Sequence, residues 1–353
     1  MKTRLLTFFV VIGLLACQGP APKQDESAAK SEMIQDQNLL SSAKNFFEPL
    51  PLVAENAENA ITPEKVHLGK QLYYDTRLSK TGNNSCNSCH NLATYGVDNK
   101  ATSTGDAGKN GERNSPTVLN AALHSTQFWD GRAKDIEEQA GMPIMNPVEM
   151  GIPHKDFLIS RLAKVPEYKA QFEKVFPGEK NPVSYENLQK SIAAFERTLI
   201  TPSKFDKFLS GDLTAMNTEE KAGLKTFMDA GCTTCHNGPV LGGKMYQKFG
   251  LLADYRPLTG SNTKDEGRKN VTKLESDKDI FKVPGLRNIV QTYPYFHDGS
   301  VADLDKAVLI MGKVQLNKDL SDAELKSIHV FLNALTGEVP ADAKKIPDVI
   351  VMK

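Results

Sequence analysis

Two clusters in this chain set a pair of thiols and an imidazole at one fixed spacing: Cys86-Asn-Ser-Cys89-His90 and Cys232-Thr-Thr-Cys235-His236. Two thiols three residues apart reach the two vinyl groups of a haem, and the histidine that follows offers a neutral imidazole to the iron. Zinc is the other metal that cysteine and histidine commonly hold. Tetrahedral zinc sites, however, pair a second cluster at short range, and these clusters lie 146 residues apart. The reading is therefore two covalently bound haem c groups, with His90 on the iron of haem 1 and His236 on that of haem 2.

The sixth position at each iron separates electron transfer from catalysis, because a closed site passes electrons and an open one binds peroxide. Met311, in Ile310-Met311-Gly312, follows the second cluster where a small cytochrome c would carry its thioether ligand. An isolated methionine is more often a core residue. In this setting it is read as the second ligand of haem 2, which raises the potential of that haem and suits it to accept electrons.

The elements that must position these groups are helices. Thr62-Pro63-Glu64 pairs a cap residue with a proline at the first helical position, so a helix is expected through Leu68 to Tyr73 ahead of Cys86. Asn217 with Glu220 starts another, through Leu224 and Phe227, ahead of Cys232. The halves share more than this order. Pro116-Thr-Val-Leu-Asn120 matches Pro284-Gly-Leu-Arg-Asn288, and Phe128-Trp-Asp-Gly131 matches Phe296-His-Asp-Gly299, at one offset of 168 residues. Asp135-Ile136 and Asp303-Leu304 keep that register. Each half closes with apolar residues at helical spacing, Ile192/Phe195/Leu199 and Ile328/Phe331/Leu335, the latter with Ser321 and Glu324 as a capping box and Gly337 as a stop. Few segments alternate at the strand period. The expected fold class is mainly α, two haem domains related by duplication, 49–205 and 206–340, meeting near Thr201-Pro202 and followed by a tail over 341–353.

Applied to Met311, the offset lands on Pro143, which cannot ligate iron, so the first half has lost its thioether. Met142, Met145 and Met150 stand close enough to offer a shifted ligand; an open or labile site on haem 1 is the preferred reading. Peroxide cleavage needs a group that carries a proton from the inner to the outer oxygen, and a polar neighbour that steadies the developing charge. Gln139 and Glu149 lie in the segment that replaces the methionine arm. By residue type alone they are as compatible with a solvated surface as with such a pocket.

The N-terminus carries Lys2 and Arg4, the apolar run 5–16 and then Cys17, the layout of a secretory signal over 1–16. The run is shorter than the ~20 apolar residues that span a bilayer. Leu14-Leu15-Ala16-Cys17 is similar to a bacterial lipobox, so Cys17 is expected to carry lipid; ordinary cleavage nearby is the alternative. Gln18 stands where an Asp would signal inner-membrane retention, which favours a periplasmic protein anchored in the outer membrane. Residues 17–48 read as a polar, lipidated tether. With Cys17 so assigned, none of the 5 cysteines is left for a disulfide. With 43 basic and 43 acidic residues, the net charge of zero gives no overall pull toward nucleic acid or anionic lipid.

Gln127-Phe-Trp-Asp-Gly-Arg132, Asn114-Ser-Pro-Thr-Val-Leu-Asn120, Tyr293-Pro-Tyr-Phe-His-Asp-Gly299 and both haem clusters together resemble the bacterial dihaem cytochrome c peroxidase family, over roughly residues 50–337. The resemblance implies two cytochrome c-like domains with a calcium ion between them. Haem 1 would be the peroxidatic centre, with His90 proximal and Glu149 and Gln139 distal, and haem 2 the electron-accepting centre on His236 and Met311. Trp129 would bridge the haems, although a lone tryptophan is more often core. Asn114, with the backbone carbonyls of Thr292 and Pro294, matches the family's calcium ligands, hard oxygen donors that suit that ion. His297 matches a histidine near haem 2 that contacts a propionate or shapes the interface rather than ligating iron. Many members carry a switching histidine in the loop after the first cluster, which ligates haem 1 in the oxidised resting state. Here Ser103-Thr-Gly-Asp-Ala-Gly108 has Asp106 at that position, so haem 1 is expected to be open without reductive activation.

The implied activity is a cytochrome-c peroxidase: hydrogen peroxide reduced to water at haem 1, with two electrons delivered through haem 2 from a small periplasmic donor, a c-type cytochrome or a copper protein. Relatives are commonly homodimers. Two rivals stay open. One is a MauG-like enzyme that oxidises a partner protein during cofactor maturation, a branch with Tyr rather than Met as the sixth ligand of its high-potential haem. The other is a non-catalytic dihaem electron-transfer cytochrome, which would need a strong sixth ligand on both irons.

Overall fold

Helix starts fall where the capping residues put them. In the computed structural model, which describes residues 26–347, the Thr62 side chain accepts the Lys65 N–H ahead of the Pro63–Tyr74 helix. Asn217 with Glu220, and Ser321 with Glu324, close capping boxes on the Thr218–Ala230 and Asp322–Ala334 helices. The signal sequence, the lipobox and Cys17 lie outside the described residues.

In each half the helix that leads to the haem cluster crosses the helix that closes the domain: Pro63–Tyr74 on Tyr185–Glu196, and Thr218–Ala230 on Asp322–Ala334. A glycine permits each crossing. A Cβ on Gly69 would stand 1.8 Å from the Ser191 carbonyl oxygen, and one on Gly223 2.2 Å from that of Ser327. Around these crossings lie two cores, one built on Leu68, Leu72, Leu188, Ile192 and Phe195, the other on Phe205, Phe208, Leu224, Phe227, Ile328 and Phe331. The strands named among the described residues, Tyr246–Lys248 and Ile280–Lys282, form one antiparallel pair. The fold is mainly α.

The duplication is visible at the seam. Asn120 and Asn288 share left-handed φ values of 60° and 61°, as do Phe128 and Phe296 at 67° and 72°. The bridges Gln127↔Ala133 and Tyr295↔Val301 match at the same offset. Asp135 caps the Ile136–Met145 helix as Asp303 caps Leu304–Leu316. Both asparagine amides donate to one hydroxyl, that of Thr201, each at 2.8 Å.

Two expectations change, and the tail, left without a place by the sequence, gains one. The segment read as a tether forms a helix over Glu26–Lys44. It docks on the second domain through Leu39, Leu40, Ala43 and Phe47, and Asp36 pairs with Lys221. Average polarity concealed an apolar stripe at helical spacing. The tail packs against the first domain, where Ala343, with Val339 just ahead of the tail, joins its core, the Tyr74 hydroxyl donates to the Ala343 carbonyl at 2.7 Å and Lys70 pairs with Asp342 at 3.0 Å. Each terminal segment thus crosses to the other half. Gly337 does not stop its helix, which ends at Ala334 with Leu335 right-handed. Its missing Cβ lets the chain pass the Thr201 carbonyl, from which a Cβ would stand 2.2 Å. No described helix is long and apolar enough to cross a membrane.

Candidate functional site

The second cleft is the more complete. Gly231, at φ 93°, ends its helix and turns the chain into the Cys232–Thr234 turn, and the His236 N–H donates to the Cys232 carbonyl at 2.9 Å. His236 Nδ1 lies 3.0 Å from the Leu241 carbonyl, which assigns the proton to Nδ1 and leaves Nε2 as a lone-pair donor. Burial pushes this imidazole below its ordinary value and keeps it neutral. A cavity of about 240 Å³ is lined by Cys232, Cys235 and His236, and by Met311 from the Leu304–Leu316 helix. Neither thiol is in a disulfide, and burial pushes that of Cys232 up to about 11. Two free thiols, an imidazole nitrogen and a thioether around one apolar cavity fit a covalently held haem with a His/Met pair.

The first cleft starts alike and then departs. The His90 N–H donates to the Cys86 carbonyl at 2.9 Å, and the Tyr73 hydroxyl donates to the His90 carbonyl. Here the Ile136–Met145 helix, with Pro143 inside it, stops at Met145, whereas its counterpart runs on past Met311 to Leu316. Turns follow instead, in which the Asn146 amide donates to Glu149 Oε1 at 2.7 Å. Burial raises the Glu149 carboxyl, against the pull of Arg132 and Asn146. Burial first, then the charges of Asp98 and Glu149, raise the Cys89 thiol, and the Lys80 N–H donates to the Met150 carbonyl at 2.8 Å, which ties the turn carrying Glu149 to the segment that leads into Cys86. Gln139 sits half-buried on the Ile136–Met145 helix. Met150 is buried in the first core, and Met145 packs against it.

Asp106 has a task of its own. Its carboxylate accepts from the Thr81 N–H and hydroxyl, both at 2.8 Å, and from the Asn83 N–H at 3.2 Å. These bonds outweigh burial and hold it below its ordinary value. Its own N–H donates to the Glu149 carbonyl at 2.7 Å. Gly105 makes that approach feasible, since a Cβ there would lie 1.8 Å from the Val148 carbonyl oxygen. The loop is therefore clamped between the approach to Cys86 and the Glu149 backbone.

Between the clefts, the Trp129 indole N–H donates to the Asn114 carbonyl at 2.9 Å, and the ring meets His297 edge-on with centroids 6.5 Å apart. Trp129, Asn114, Thr292, Pro294 and His297 all line the cavity of the second cleft. The Asn114 amide donates to the Lys100 carbonyl at 2.9 Å. His297 is buried and stacked on Phe281 at 4.2 Å, and its Nε2 has no hydrogen-bond partner, an orphan that fits a polar edge of a bound group. Among the described residues no group of three or more His, Cys, Asp and Glu could hold a metal; the calcium ligands expected above are an amide and two carbonyls.

One buried acid escaped the sequence reading. Glu196, 4% exposed, occupies the position on its helix that Leu332 occupies on the partner helix, by the 136-residue register that matches Ile192/Phe195 to Ile328/Phe331. A carboxylate on an otherwise apolar face was the available signal. Burial pushes it up to about 8.

Two duplicated helical domains, each carrying a C-x-x-C-H cluster, one of which shares its cavity with a thioether, define a dihaem c-type cytochrome. The profile described as di-haem cytochrome c peroxidase matches residues 63–214. The cytochrome c551 peroxidase of Nitrosomonas europaea is 47% identical over 295 residues, 83% of this chain and 85% of that protein. That of Pseudomonas aeruginosa is 45% identical over 88% of this chain and 89% of that one. A solved MauG-like protein associated with microbial copper homeostasis superposes with a TM-score of 0.74 at 26% identity, covering 84% of this chain and 97% of its own. The chain belongs to the dihaem cytochrome c peroxidase family.

Proposed function

We propose that this chain reduces hydrogen peroxide to water at haem 1, with two electrons passed through haem 2 from a small periplasmic c-type cytochrome or copper protein. The observation that carries the reading is the inequality of the clefts, a thioether in one and, in the other, Pro143 at the matching position with the turn of Glu149 tied to the approach to Cys86. A haem held by Cys86, Cys89 and His90 would supply a redox-active iron to the first cleft. Glu149, whose carboxyl burial raises above its ordinary value, takes the proton from the inner oxygen and returns it to the outer one. Gln139 hydrogen-bonds the peroxide as charge develops. His236 and Met311 would hold a second haem able to accept electrons, and Trp129 would carry them across the seam. With two further protons, each peroxide yields two waters.

Asp106, committed to Thr81 and Asn83, leaves haem 1 open in the oxidised protein. Calcium at Asn114, Thr292 and Pro294 ties the two domains. A lipid on Cys17 holds the protein at the outer membrane, facing the periplasm, as a monomer or a homodimer. Met311 favours the peroxidase over a MauG-like protein oxidation.

Steady-state turnover with peroxide and a reduced cytochrome tests the central role. Glu149→Gln should lower it by roughly 10²–10⁴-fold with both haems retained; unchanged turnover would remove Glu149 from the mechanism. A bis-His, low-spin haem 1 in the oxidised spectrum would refute the open site.

A further inference from the structure

The second cleft contains a buried cation with no part in holding or cleaving peroxide. Lys282, the last residue of the Ile280–Lys282 strand, is 7% exposed and lines the cavity of the haem 2 cleft. Its Nζ lies 2.8 Å from His124 Nδ1. No carboxylate among the described residues comes within ion-pair distance of it. Arg287, on the same cavity, shows the ordinary alternative: its guanidinium grips Asp206 at 2.7 and 2.9 Å. An ammonium buried without a counter-charge is costly. Burial alone pushes Lys282 down to about 7, with only Asp130 pulling it back.

His124 cannot supply the missing charge. Burial and the adjacent ammonium hold it well below its ordinary value, so it is a neutral acceptor. The pair is nevertheless built into the fold. The imidazole is wedged against Gly243 and Gly285, where a Cβ would come within 2.5 and 3.2 Å of it. The Lys282 N–H is fixed to the Trp129 carbonyl at 2.7 Å.

The internal repeat places this pair. The offset of 168 maps Asn114 onto Lys282 and Thr292 onto His124. The backbone bonds correspond as well, since the Asn114 N–H donates to the His297 carbonyl at 2.8 Å as the Lys282 N–H does to Trp129. Where the site of Asn114 and Thr292 offers neutral oxygens, which suit a hard cation, its repeat-related counterpart installs an ammonium, Lys282, on His124.

We propose that the Lys282 ammonium, seated on His124, pairs with a propionate carboxylate of haem 2 and raises the potential of that haem. The inference rests on the second cleft holding haem 2. A haem fixed through its vinyl groups at Cys232 and Cys235 presents its carboxylates from the opposite edge, and the cavity wall at the seam is where Lys282 waits without an anion. Positive charge near the iron favours the reduced state, so its removal lowers the potential.

Redox titration of the holoprotein tests this. At the wild-type midpoint of haem 2, Lys282→Met should lower the ratio of reduced to oxidised haem 2 by about tenfold, the order expected for one charge about 10 Å away at an effective dielectric near 20. Lys282→Arg should restore it to within about twofold, while the resonance Raman propionate bending band of haem 2 moves, because a guanidinium fork replaces the ammonium. An unchanged midpoint in the Met variant, or equal shifts in both variants, would overturn the proposal. If the Met variant loses haem, the Raman band of the Arg variant decides, and an unmoved band or loss of haem there too overturns it. A pyridine haemochrome count below two in the wild type would instead refute the haem 2 assignment.

Discussion

Replacing Glu196 by Gln should stabilise the protein at alkaline pH and do little in acid. Glu196 is almost fully buried on the Tyr185–Glu196 helix, and burial, followed by the charge of Glu137, raises it from 4.5 to about 8 against the pull of Arg197. An acid whose folded value lies above its unfolded one binds its proton more tightly when folded, so stability falls as pH rises between the two. The interval is about 3.5 units at about 1.4 kcal/mol each, a ceiling of about 5 kcal/mol reached near pH 8. Relaxation and water penetration reduce this, so Glu196→Gln should gain roughly 2–5 kcal/mol more at pH 8.5 than at pH 5. Glu196→Leu, the residue at the matching position Leu332, should show the same trend. Guanidinium unfolding of the holoprotein at the two pH values, followed by far-UV circular dichroism, measures the difference. An equal effect of the substitution at pH 5 and pH 8.5 would refute the buried, proton-holding carboxyl.

Thr201→Val removes the hydroxyl on which the Asn120 and Asn288 amides converge and leaves two buried donors short of a partner. A loss of about 2–4 kcal/mol in denaturant unfolding is expected. Gly223→Ala drives a methyl against the Ser327 carbonyl at the second helix crossing and should cost about 1–3 kcal/mol, read as a lower melting temperature. Asp106→Ala deletes an acceptor of three hydrogen bonds and should cost about 2–4 kcal/mol at pH 7. Because that carboxyl is held below its ordinary 3.8, the deficit should be present above about pH 4 and shrink as pH falls further. Unfolding at pH 7 and pH 3 compares the two.

What the sequence determined by itself was local chemistry. The C-x-x-C-H spacing, the caps at Thr62, Asn217 and Ser321 and the duplication at 168 residues each reside in a few neighbouring side chains, so no distant contact was needed to read them. The loss of the thioether at Pro143 followed from the repeat alone. Tertiary structure decided what lies opposite each residue. Whether Asp106 faces a haem or clamps Thr81, whether Glu196 meets water or core, and whether Lys282 finds a carboxylate or only His124 all depend on partners brought from 23 to 158 residues away. The docking of the Glu26–Lys44 helix on the second domain, and of Ala343 on the first, was hidden for the same reason: a stripe of a few apolar residues in a polar segment buries itself only where a complementary surface exists, and the fold of the other half supplies it.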